Sequence, residues 1–253
     1  MEIRLLGAME VRVRGRSLAL GPRQQRLVLA ILAREANRLV SVDRLVELVW
    51  PASPPRSAVH AIQVNVSGVR QVLAHSQGRV TLETHGAGYL LRADPLLIDV
   101  HRFTALLTQA RRTDDDLSRV SLIDEALALW RGPVFAGVAS DATRDRLGAG
   151  LTEARLIAVE DRIDALMRAG RHGDVVYELF DLTEAHPTRE RLVGQLMLAL
   201  YRGGQASRAL DVFRRARRLL ADELGIDPGT ELRRLETAIL NADSALELAA
   251  SGG

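Results

Sequence analysis

The residues best suited to chemistry lie in one stretch, Arg56 to Ala74, RSAVHAIQVNVSGVRQVLA. On a helical wheel of about 100° per residue, Val59, Ile62, Val66, Val69 and Leu73 form one apolar stripe. The opposite side carries His60, Gln63, Val64, Ser67, Gly68 and Gln71, and Arg56 and Arg70 flank it. That face is polar and holds no carboxylate. An ordinary solvated face would be expected to carry acid, whereas a face pressed against phosphates would repel it. Amides suit adenine edges, guanidinium groups suit guanine or phosphate, and Val64 suits a thymine methyl. The stretch therefore reads as a DNA-recognition helix. The plainer alternative is a surface helix that happens to lack acid.

Charge supports a nucleic-acid partner for the first part of the chain only. Residues 1–93 carry a net charge of +7 and residues 94–253 one of −5. A basic segment joined to an acidic one suggests two roles. Every basic residue is Arg, so each cation can bind phosphate or guanine in bidentate fashion. With 253 residues, 47% of them hydrophobic and only 4% aromatic, the chain can form two modest domains with cores of Leu, Val and Ala. No cysteine is present, which excludes disulfides, thiolate metal sites and a cysteine nucleophile. No apolar run is long enough to cross a membrane. The N-terminus has charges throughout rather than a secretory leader's apolar core, so the expected location is the cytoplasm.

The elements that must position the reader stretch follow in order. Ile3 and Leu5, then Met9, Val11 and Val13, alternate as two strands, and Gly15-Arg16 turns into a third, Ser17 to Leu20. Gly21-Pro22 opens a helix with Leu27, Val28, Ile31 and Leu32 on its apolar side, ending near Ala36-Asn37. Ser41 caps a second helix in which Leu45, Val46, Leu48 and Val49 face inward. Pro51, Pro54 and Pro55 make a stiff loop before the reader helix. Arg79–Glu83 and Tyr89–Arg92 then read as a hairpin around Gly86 and Gly88. A sheet, three helices and a hairpin make a winged helix-turn-helix.

Asp94-Pro95 is the expected boundary. Beyond it the chain reads as helices, with Asp99 as a cap over Phe103, Leu106 and Leu107, and with a helix from Leu122 to Trp130 stopped by Gly132-Pro133. Asp114-Asp115-Asp116 reads as a solvated loop or helix start in preference to a metal site. Leu166–Val176 matches Leu200–Leu210 at an offset of 34 residues, the tetratricopeptide (TPR) period. Stacked helix pairs of this kind build a surface for a peptide or protein. The expected architecture is mainly α with a small β part: a winged helix over 1–93, TPR-like helices over 94–245, and a disordered tail over 246–253.

Several segments together resemble the streptomycete antibiotic regulatory protein (SARP) family, whose winged helix is of the OmpR type. They are Pro22-Arg23-Gln24-Gln25, Val42–Val46, Leu48-Val49-Trp50, Gln63–Ser67 and Gly88–Leu91. Leu129–Pro133 and Ala221–Gly229, with Glu231–Leu235, are similar to that family's bacterial transcriptional activation domain. The likeness spans about residues 1–240. It implies an activator of an antibiotic or other secondary-metabolite gene cluster, binding direct repeats near the promoter as a dimer and recruiting RNA polymerase. No cofactor is implied.

The candidate DNA-contacting residues are Arg23, Arg56, His60, Gln63, Val64, Asn65, Ser67, Arg70 and, in the wing, Tyr89. Arg23 and Arg56 suit phosphate. Asn65 is included because the OmpR-type motif uses the corresponding position; its alternative is a hydrogen bond within the domain. Two departures stand out. The family usually has a cation where Gly68 stands and another after Gly-Tyr, where this chain has Leu90. Losing both would weaken binding and flatten its salt dependence. The consequence is a divergent site, weak binding by one copy alone, or reliance on a second copy; Gly68 would also admit close approach of the helix backbone to DNA.

The competing function is a TPR-type adaptor whose winged helix is vestigial or contacts protein. An enzyme is disfavoured. No phosphate-binding Gly-x-x-x-x-Gly-Lys occurs, no nucleophile elbow accompanies His85-Gly86-Ala87-Gly88, and the six His lack i, i+4 spacing.

Overall fold

The computed structural model describes residues 1–247. Most of the expected tail, from residue 248, lies outside them. The chain divides into two compact units. One holds Met1–Arg112 and Leu122–Leu156; the other holds Thr113–Ser121 and the chain from Ile157 onward.

In the first unit, β1 (Glu2–Arg4), β2 (Glu10–Val13) and β3 (Arg16–Ser17) form an antiparallel sheet in that order. Ile3 faces Val11 across the ladder, and both are fully buried. Arg14 (φ 49°) and Gly15 (φ 78°) make the hairpin turn, so Arg16 already belongs to β3 and the strand stops short of Leu20. Helix α1 (Arg23–Arg34) follows Pro22 and buries every residue from Leu27 to Ala33. Asn37 takes the left-handed conformation (φ 63°) after it, as expected of the short polar side chain.

A short strand, β4 (Leu39–Ser41), leads into α2 (Val42–Val49). The Ser41 hydroxyl accepts from the Arg44 N–H at 3.1 Å, which is the expected cap. Of the four residues expected to face inward, Leu45 and Leu48 are buried, and Val46 and Val49 are half-buried. Helix α3 (Ala58–Leu73) packs against α1 and α2. The wing comprises β5 (Val80–His85) and β6 (Gly88–Ala93), joined by Gly86-Ala87. β4 was not evident from the sequence. It pairs with β6, giving the order β4-β6-β5 and anchoring the wing to the start of α2. Gly88 permits that pairing, because a Cβ there would stand 2.7 Å from the Val40 carbonyl oxygen.

The first unit continues past Asp94-Pro95 into α4 (Asp99–Arg111). Asp99 does not cap its own helix. Its buried carboxylate accepts from the Leu5 N–H at 2.7 Å and the Leu6 N–H at 3.0 Å, with an Arg131 Nη2 at 3.4 Å. Burial raises its pKa above the usual carboxylate value, against the lowering effect of the two N–H donors and Arg131. The segment after α5 (Asp116–Ala128) lies along Leu5–Gly7, just past the end of β1: the Arg131, Phe135 and Ala136 N–H groups donate to the carbonyls of Leu6, Leu5 and Gly7 at 2.8, 3.0 and 3.1 Å. Trp130 meets Phe103 edge-on at 5.5 Å, under the Arg155 guanidinium at 5.0 Å.

The second unit takes the start of α5 and the end of α6 (Asp141–Arg168), then α7 (Val176–Ala185), α8 (Glu190–Arg202), α9 (Ala206–Leu224) and α10 (Thr230–Leu240). The sequence repeat is a repeat of geometry. Gly170 and Gly204 both turn left-handed (φ 78° and 72°), and the Arg171 and Gln205 N–H groups donate to Leu166 and Leu200, each at 2.9 Å. The acidic run is a helix start: the Ser118 N–H donates to the Asp115 carboxylate at 2.7 Å, and Arg168 Nη2 reaches Asp116 at 2.7 Å. That hydrogen bond from Arg168 holds the Asp116 pKa down. Glu160, 1% exposed, is ion-paired with Arg189 and Arg191.

Candidate nucleic-acid interface

Helix α3 opens at Ala58, where the chain is released from the proline-rich loop, and the Ala61 N–H donates to the Ser57 carbonyl at 2.9 Å. Its buried stripe is Ala58, Ile62, Val66, Val69, Val72 and Leu73. The stripe is rotated from the expected one: Val72 is inside, and Val59, in the first turn, is 50% exposed. The packing partners of α3 sit on the Ala58 and Ile62 side, which leaves Val59 at the margin. The rotation widens the exposed face by one apolar residue.

The predicted site residues divide into three groups. His60, Gln63, Val64 and Ser67 share the exposed face of α3, with Val64 at 58% exposure and Arg56 just before the helix. None of these five side chains has a hydrogen-bond or ion-pair partner among the described residues. Their donors, acceptors and methyls are available to a ligand.

Three others are engaged. Asn65 is half-buried and donates through Nδ2 to the Ala61 carbonyl one turn back, at 2.8 Å. Arg70 is exposed but points to the wing: Nε donates to the Leu82 carbonyl at 3.1 Å and Nη2 to the Thr84 hydroxyl at 2.7 Å. It therefore fixes the reader helix to the wing as well as adding charge. Arg23 Nε donates to the Val138 carbonyl at 3.0 Å, tying the start of α1 to the segment before α6.

Tyr89 stands apart. It is 6% exposed, within β6 and opposite Val40 and Thr84. Its ring is packed within the wing, so Tyr89 offers little exposed surface for a contact. Leu90 is likewise buried, 8% exposed, so a cation in its place would lose hydration rather than project freely. Exposed positive charge on the wing comes instead from Arg92, 3.5 Å from Glu83, and the exposed His85 ring hydrogen-bonds Glu83 at 2.8 Å. That hydrogen bond, aided by Arg92, holds the Glu83 pKa below its ordinary value.

Gly68 has a reason that the sequence could not show. A Cβ there would lie 2.1 Å from Gln25 Oε1 of α1, so the amide fills the space a side chain would need. No periodicity links positions 25 and 68; only the packing of α1 on α3 brings them together.

The family profile described as "Transcriptional regulatory protein, C terminal" matches residues 15–91. The one described as "Bacterial transcriptional activator domain" matches residues 98–240. Regulatory protein DnrI of Streptomyces peucetius is 34% identical, over 98% of this chain and 94% of its own. Regulatory protein AfsR of Streptomyces coelicolor is 41% identical over 94% of this chain, which spans only 24% of that protein. A solved structure of Mycobacterium tuberculosis EmbR in complex with a low-affinity phosphopeptide superimposes with a TM-score of 0.91 at 34% identity, over 95% of this chain and 65% of that one. With an OmpR-type winged helix, a bacterial transcriptional activator domain and full-length similarity to DnrI, this chain belongs to the streptomycete antibiotic regulatory protein family of transcriptional regulators.

Proposed function

We propose that the chain is a sequence-specific DNA-binding activator of a secondary-metabolite gene cluster, one that binds direct repeats near the promoter and recruits RNA polymerase. One observation carries the DNA-reading part. His60, Gln63, Val64 and Ser67 lie without partners among the described residues, on one acid-free face of a helix whose other face is locked into the core. In this reading α3 enters the major groove, Gln63 and His60 reach base edges, and Val64 meets a thymine methyl. Arg56 and Arg23 hold phosphates, while Arg70 sets the wing against the backbone.

The helical repeats supply the protein contacts. A groove of about 600 Å³ lies among α7, α8 and α9, lined by Phe180, Val193, Leu196, Leu200, Arg208 and Leu219. Its mix of apolar wall and Arg suits a protein segment. Head-to-tail placement of two copies would follow from direct repeats, since each copy then presents a different face to the other.

Footprinting on the promoters nearest its own gene tests the reading. Two protected half-sites in the same orientation, spaced by whole helical turns, are expected. A symmetrical inverted footprint would exclude the direct-repeat mode, and an absence of protection would exclude DNA reading.

A further inference from the structure

Gly68 lies at the edge of the reader face, one turn beyond the exposed Val64. A Cβ at 68 would meet Gln25 Oε1 at 2.1 Å, Cδ at 2.5 Å and Nε2 at 3.0 Å. The Gln25 amide therefore stands where a side chain at 68 would begin. It is held there. Its Nε2 donates to the Leu20 carbonyl at 3.0 Å, and Gly21, left-handed at φ 74°, leaves it room on the other side. A Cβ at 21 would come within 2.9 Å of the same Oε1. Two glycines thus clear a slot for one amide, although a glycine inside a helix costs about 1 kcal/mol relative to Ala.

Gln25 is half-buried, so the residue is partly open to the surface. A glutamine amide offers two donors and two lone pairs. The Leu20 carbonyl takes one donor, and among the described residues the amide has no other hydrogen-bond partner. Oε1 and one N–H remain for a ligand lying on α3.

We propose that Gln25 is a DNA-contacting residue of this chain: its amide, delivered through the gap at Gly68, fills the place on the interface that a side chain at position 68 would occupy. The inference rests on the DNA-reading face proposed above. It replaces a charged contact with a neutral one. Such a contact discriminates among sequences by hydrogen bonding and releases no counterion.

The test uses the full chain and a duplex that the wild-type protein enriches from a pool of randomised DNA, with an unrelated duplex as reference. Gln25→Ala should bind the enriched duplex roughly ten-fold more weakly, with little change on the unrelated duplex and an unchanged salt slope. The double variant Gln25→Ala with Gly68→Gln moves the amide onto α3 itself and should recover most of the loss. Gln25→Glu keeps the shape and should bind less well than Gln25→Ala, since a carboxylate faces phosphates; it serves as the test if Gln25→Ala melts early. Wild-type affinity in both Gln25→Ala and Gln25→Glu would overturn the proposal. So would a loss in Gln25→Ala that Gly68→Gln does not restore, which would make Gln25 only a packing residue. Failure of the wild-type protein to enrich any duplex would instead remove the DNA-reading premise, and the proposal with it.

Discussion

Gln63 and Asn65 are chemically alike and two residues apart on α3, yet only one is free to act. Asn65 spends its donor on the Ala61 carbonyl, whereas Gln63 is exposed without a partner among the described residues. Asn65→Ala should therefore leave operator affinity within about two-fold, while Gln63→Ala should cost roughly ten-fold; titration by fluorescence anisotropy separates the two. Equal losses would mean that Asn65 gives up its internal bond on DNA. Asp99 makes a prediction of a different kind. Burial raises its pKa above the ordinary carboxylate value, so folding disfavours the charged form. Its titration adds stability at low pH and withdraws it as pH rises through the raised pKa. Asp99→Asn cannot titrate. Its stability deficit relative to wild type should be greatest at and below about pH 4 and shrink as pH rises through the raised pKa, as followed by urea unfolding. A deficit independent of pH would contradict the assigned shift.

At the scale of elements, the helices of the winged helix were legible because Pro22, Ser41 and the Pro51–Pro55 loop punctuate them and apolar residues recur at helical spacing between. The rotation of α3 was not, because Val59 and Val72 are equally apolar and only the position of α1 and α2 decides which is covered. β4 escaped because three residues with one buried side chain, Val40, carry no period. The segment from Arg131 to Ala136 escaped for a related reason: it joins Leu5–Gly7 through backbone N–H groups, which leave no side-chain pattern. Its Leu-Trp-Arg-Gly-Pro signature, read as part of the activation domain, therefore helps build the first unit. The β4–β6 contact has a sharp test. Gly88→Ala would place a methyl 2.7 Å from the Val40 carbonyl oxygen. Thermal melts should show a loss of about 1–3 kcal/mol, and Ser41→Ala, which removes only the cap on α2, should cost about 1 kcal/mol. An unchanged Gly88→Ala melt would mean that β4 is free to separate from the wing.

At the scale of the molecule, the basic and acidic parts of the sequence do not coincide with the compact units. The basic stretch ends at residue 93, but the first unit goes on to Arg112 and resumes over Leu122–Leu156. A fragment of residues 1–93 would lack Asp99, which binds the Leu5 and Leu6 N–H groups, and the Arg131–Ala136 segment that bonds the Leu5–Gly7 backbone. It should unfold without a cooperative transition in calorimetry, whereas a fragment ending at residue 156 should show one; cooperative unfolding of 1–93 would make those ties dispensable. In the proposed reading, α3, held by this unit, enters the DNA major groove. The measurement that meets it most directly is binding of the full chain to its neighbouring promoter DNA across a salt series, with Gln63→Ala and Arg70→Ala alongside. The predicted result is a specific complex, weakened by both changes, whose affinity falls with salt at a log–log slope of about −0.9 per phosphate contacted, and less steeply in Arg70→Ala. No specific complex at low salt would contradict it.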